Sequence, residues 1–149
     1  MATGYSAEMT GVLDGTLNPP KLADGRVVGG RMHIYQATFD LSKANVAKNI
    51  GDVNICFPIP ADCKPVLGWL ESTVSMGAAA TIAVGNATTP GKYRAPAVHT
   101  APDAPAFFML SAAAQLAPLS DPETVQITIA AAALPGAGIL QVFMIVAKI

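Results

Sequence analysis

The stretch Ile139-Leu140-Gln141-Val142-Phe143-Met144-Ile145-Val146-Ala147 decides the fold. Its residues alternate between two faces. Ile139, Gln141, Phe143 and Ile145 lie on one, and Leu140, Val142, Met144 and Val146 on the other. A period of two with β-branched and aromatic residues is the mark of a strand. Both faces are apolar, so this strand is expected to be central or covered on both sides. Leu134-Pro135-Gly136-Ala137-Gly138 before it reads as a turn. Before that turn, Val125, Ile127 and Ile129 alternate with Thr124, Gln126 and Thr128 across 124–132. The two strands together read as a hairpin.

The same period recurs upstream. From Met32 to Leu41, His33, Tyr35, Ala37, Phe39 and Leu41 share one face. Asp52–Phe57 is a second run, stopped by Pro58 and Pro60, and Lys64–Met76 is a third. Gly68 within it predicts a bulge or a close crossing. Ala79–Val84 follows the turn at Gly77. Residues 85–106 form a long loop punctuated by Pro90, Pro96, Pro102 and Pro105, with a short strand near Ala97–Thr100. Phe107–Leu110 reads as a further strand. Ala112–Leu116 is open between strand and helical turns. Ser120-Asp121-Pro122-Glu123 has the form of a capping box. Seven or eight short strands with turn signals between them indicate an all-β chain, a two-sheet β-sandwich of jelly-roll type rather than a barrel. Its core is expected to hold Ile34, or its opposite-face neighbours Tyr35 and Phe39, with Trp69, Ile127, Phe143 and Ile145.

Two units follow: an extended N-terminal arm, residues 1–30, and the sandwich, residues 31–149. Gly4, Gly11, Gly15, Gly25, Gly29 and Gly30 join Pro19-Pro20 in the arm. Its apolar residues keep no strict period, so a packed element is not expected there. Ordering a backbone costs about 1–2 kcal/mol per residue. Tyr5, Met9, Leu13 and Leu17 are therefore expected to be buried against another subunit, as partner-binding residues.

Charged residues are 13% of the 149-residue chain, against an average near 25%, while 52% are hydrophobic. A surface so poor in charge suits lasting contact with protein. Net charge is −1 with no basic run, so neither direct nucleic-acid binding nor attachment to an anionic membrane is expected. The N-terminus lacks the pattern of a secretory signal. Cys56 and Cys63 match neither a redox nor a zinc spacing and read as free thiols of a reducing compartment. His33 and His99 belong to no ligand motif, Thr73–Gly77 is half a nucleophile elbow, and the aspartates sit singly at turns. No enzyme, metal or cofactor is expected. Tyr93 and Arg94, beside Lys92 in the long loop, are the place where aromatic and basic residues meet. They read either as partner anchors or as residues folded onto their own sandwich.

Asp24-Gly25-Arg26-Val27-Val28-Gly29-Gly30-Arg31, then Ala80-Thr81-Ile82-Ala83-Val84-Gly85 followed by Pro90-Gly91-Lys92-Tyr93-Arg94-Ala95, then Leu134–Gly138 and a strand, form an ordered set. Over residues 24–149 this resembles the jelly-roll cement (decoration) proteins of tailed bacteriophages. The resemblance rests on pattern and order rather than on an invariant motif. It implies a protein made in the host cytoplasm that sits on the outer capsid surface of the virion and clamps neighbouring major capsid protein subunits. It also implies a homo-oligomer, a dimer in preference to a trimer, and carries no catalytic residue. The competing expectations are a tail or head–tail joining protein and a carbohydrate-binding sandwich. The last needs exposed aromatics on a concave face, to which the sequence offers the single Trp69.

Overall fold

A computed structural model describes residues 31–108 and 117–148. They form eight strands and, among the described residues, no helix: β1 Arg31–Asp40, β2 Val53–Ile59, β3 Cys63–Ser72, β4 Thr81–Gly85, β5 Arg94–Ala97, β6 Ala106–Phe108, β7 Glu123–Ala130 and β8 Ile139–Lys148. One sheet runs β1-β8-β3-β6 and the other β2-β7-β4-β5, with antiparallel neighbours throughout. This is the strand order of a jelly roll, a sandwich built from two Greek keys. The arm and residues 109–116 lie outside the described residues, so the readings made of them are not addressed by the fold.

Strand β8 is central, flanked by β1 and β3. Its inward side chains are Leu140, Val142, Met144 and Val146, all buried. They meet Ile82, Val84, Val125, Ile127 and Ile129 of the other sheet, which are fully buried in the same apolar cluster. Each such side chain contributes about 1.5–3 kcal/mol by leaving water. Phe39 and Ile127 take the core positions expected of them. Trp69, Phe143 and Ile145 do not. They point away from the other sheet and stay half-buried, while Ile34 is 66% exposed. With both faces of β8 apolar, alternation alone does not say which one turns inward.

Strands β7 and β8 are not a hairpin. They belong to opposite sheets, and the link between them crosses the end of the sandwich. Leu134 plugs that end, 6% exposed, with its N–H donated to the Lys48 carbonyl. Gly138 closes the link at φ +110°, where a Cβ would lie 2.4 Å from a Val74 methyl. Of consecutive strands, β4 and β5 alone are neighbours in one sheet. The Ser120–Glu123 box caps no helix, because Glu123 opens β7. The expected β5 lies slightly earlier than 97–100, at Arg94–Ala97. The ladder from β3 to β8 shifts register between Pro65 and Leu67. At the next position a Cβ on Gly68 would lie 2.2 Å from the Phe108 ring, so that glycine marks a close approach.

Two buried polar side chains, Asn54 and Ser72, are tied to backbone. Asn54 accepts from Ala47 N–H at 3.0 Å and donates to Ala47 C=O at 2.8 Å, fixing the β1–β2 loop. Cys56 and Cys63 are free. They lie in different sheets, and burial pushes the Cys56 thiol up to about 12. Replacing Ile127 by Ala is expected to cost about 2–5 kcal/mol by the cavity it leaves. Phe143→Ala, on the outer face, is expected to cost clearly less. Urea unfolding of both variants tests this assignment of faces.

Candidate functional site

The long loop gathers the polar chemistry. Tyr93, 2% exposed, enters the core with its ring. Its hydroxyl donates to the Glu123 carboxylate, which also receives the Lys92 ammonium. Burial raises the Glu123 carboxyl, but hydrogen bonds from Lys92, Tyr93 and Asn86 outweigh it and hold the group below its usual range. The Tyr93 phenol is driven far up, by burial first and then by the Glu123 charge. Arg94 donates to the carbonyls of Ile82, Ala97 and Val98, the last two at 3.0 and 3.1 Å. The polar groups of both residues thus bind their own sandwich.

His99, within the loop, is buried, and among the described residues its Nε2 has no hydrogen-bond partner. Burial, then the Arg94 charge, holds this imidazole below its usual range. His33 lies on β1, exposed. Among the described residues no three His, Cys, Asp or Glu side chains converge on a common point. Tyr5, Met9, Leu13 and Leu17 lie outside the described residues.

The feature that sets this surface apart is the outer face of the β1-β8-β3-β6 sheet. Register places Gln36, Phe143, Trp69 and Phe107 in one row across all four strands. Trp69 stacks on Phe143 with ring centroids 4.8 Å apart at 9°, and Phe107 tilts against Trp69 at 6.2 Å. The next row is aliphatic: Ile34, Ile145 and Leu67. At the edges Met32, Ile34 and Phe107 are 62, 66 and 64% exposed. The other sheet's outer face is mixed, with Thr124, Gln126, Thr128, Thr81 and Ala83 on β7 and β4 and the exposed Val53 and Ile55 on its edge strand β2. An apolar patch running the width of a sheet is the kind of surface that marks interaction sites. The doubly apolar Ile139–Ala147 was the signal for it. That Phe107 lies beside Trp69 and Leu67 beside Ile145 is not visible in the sequence, because alternation does not report lateral neighbours.

Neither a protein-family model nor a curated protein matches the sequence. Solved structures do match. A chain of the acid-stable capsid of Helicobacter pylori bacteriophage KHP30 aligns with TM-score 0.57 and 13% identity, over 78% of this chain and 86% of that one. A chain of the cyanophage Pam1 capsid asymmetric unit aligns with TM-score 0.57 and 17% identity, over 87% and 93%. A chain of the Ralstonia phage GP4 capsid aligns with TM-score 0.57 and 16% identity, over 80% and 84%. The likeness is one of fold. It spans most of both partners in each pair, so these chains are about as long as this one.

The Glu123 cluster has a pH consequence. A carboxyl whose folded pKa is depressed adds stability above its unfolded value and loses it as pH falls through the folded one. Wild type is therefore expected to exceed Glu123→Gln in urea midpoint at neutral pH. The gap should narrow as pH drops below the ordinary 4.5. Midpoints measured from pH 7 down to pH 3 check the sign.

Proposed function

We propose that the chain is a structural virion protein of a tailed phage, bound to the outside of the capsid, where it cements neighbouring major capsid protein subunits. The observation that carries this reading is the fold likeness to three phage capsid chains of nearly the same length. A lone jelly roll of this size suits an accessory placed on a shell. The low charge and the apolar sheet face support lasting protein contact over catalysis. A carbohydrate platform is less well served. Sugar hydroxyls need polar partners beside the ring, and Trp69 is flanked by Phe143 and Phe107.

In this reading the arm reaches a neighbouring subunit and buries Tyr5, Met9, Leu13 and Leu17. Each contact is weak, and repetition across the shell multiplies it by effective concentration. Low-dose electron microscopy of the parent particle should place the sandwich outside the shell over a junction between subunits. Density inside the shell or along the tail overturns the proposal. Deleting residues 1–20 is expected to leave the sandwich folded and to lower its retention on heated capsids, measured by co-sedimentation. Equal retention removes the arm from the account.

A further inference from the structure

The outer face of the β1-β8-β3-β6 sheet is patterned along the strands as well as across them. Lys64 shares a row with Met32 and Ala147 at one end, and Glu71 shares a row with Thr38 and Gln141 at the other. Between them lie the aliphatic and aromatic rows. The face is therefore basic at one end, acidic at the other and apolar in the middle. Neither Lys64 nor Glu71 makes a salt bridge with another described residue.

A face of this pattern is complementary to itself. Consider a two-fold axis between two copies, perpendicular to the strands and passing over the row of Tyr35, Met144 and Gly68. That row is midway between those of Lys64 and Glu71. The axis reverses strand direction and keeps each strand over its own copy. Lys64 then faces Glu71 of the second copy, and the pair occurs twice. Ile145 lies over Phe143 of the second copy, and Leu67 over its Trp69, so an aliphatic row packs on an aromatic row. Three ten-residue strands and the three-residue β6 cover about 500 Å² per copy from strand spacing and rise, at the low end of specific interfaces. Two sheets packed in this way stand about 10 Å apart.

We infer that this face is a self-association surface, and that its occupant is the same face of a second copy, antiparallel, with Lys64 against Glu71. The inference deepens the proposed function, since it names the surface of the homo-oligomer and leaves the arm and the opposite sheet free for the shell.

Trp69 is the sole tryptophan of the chain and lies in the buried row, so it reports association without any substitution. In the full-length protein its emission should shift to the blue and its acrylamide quenching should fall as concentration rises through the dimerisation range set by analytical ultracentrifugation. Ile34→Lys and Lys64→Glu should each weaken dimerisation at least about tenfold, because each puts an unpaired or like charge into a desolvated face. The double variant Lys64→Glu with Glu71→Lys should return to within about threefold of wild type, the restored pair offsetting the swap. Circular dichroism confirms that each variant is folded.

A chain that stays monomeric overturns the inference, as does a dimer whose Trp69 quenching ignores dilution, or a swap that fails to restore. If deleting residues 1–24 unshields Trp69 within a monomer, the arm occupies the face and the inference is wrong. Capsid binding by variants that cannot dimerise overturns the inference only if wild type too binds as a monomer. A wild-type dimer that never binds capsids sinks the proposed function and leaves this surface standing.

Discussion

Everything in this sandwich depends on β8 carrying apolar side chains on both faces. A strand with apolar side chains on both faces cannot lie at the edge of a sheet or on a wet surface without losing much of its burial. Placing it centrally recruits β1 on one side and β3 on the other, each paired over nearly its whole length. Its inward residues then demand a second sheet, and Ile127 and Val84 supply the facing layer. Its outward residues demand cover too. Among the described residues they receive the stacking of Trp69 on Phe143 and the partial shelter of neighbours.

The second sheet is held by different means. Its strands are shorter than the ten-residue β1, β3 and β8, and β5 at its edge is pinned by the Arg94 guanidinium on backbone carbonyls rather than by a long ladder. Tyr93 and Lys92 converge on Glu123 at the start of β7, so the long loop is bolted to the sheet it covers. A buried ion pair is weak evidence of net stability, since desolvation opposes it. Here the third bond, from a phenol, satisfies the carboxylate further. The arrangement fixes where the loop goes, which a low-charge surface could not otherwise specify.

Much of the fold was legible in alternation. The long runs gave β1, β3, β7 and β8 to within a few residues, because a period of two survives any tertiary detail. Sheet membership was not legible. Local pattern treats Thr124–Ala130 and Ile139–Ala147 as hairpin partners, and only the burial of Leu134 and the left-handed backbone of Gly138 reveal that the chain changes sheets between them. Nor did alternation choose between the two apolar faces of β8, so Trp69, Phe143 and Ile145 were expected in the core they turn away from. The Glu123 cluster joins residues about thirty positions apart, a separation that no local signal spans.

The pairing of Arg31 with Lys148 puts the entry to β1 beside the exit from β8. The geometry has a mechanical meaning. If the sandwich is held by its body and tension arrives through the residue before Arg31 along the strand axis, the load runs parallel to the β1–β8 ladder. The facing pairs from Arg31↔Lys148 to Asp40↔Ile139 are then sheared as a set, and their hydrogen bonds, each worth about 0.5–1.5 kcal/mol, must yield together. Tension applied across the strands, separating Arg31 from Lys148, meets one pair at a time and peels the edge open. The same ladder is thus a strong fastening in one direction and a zip in the other.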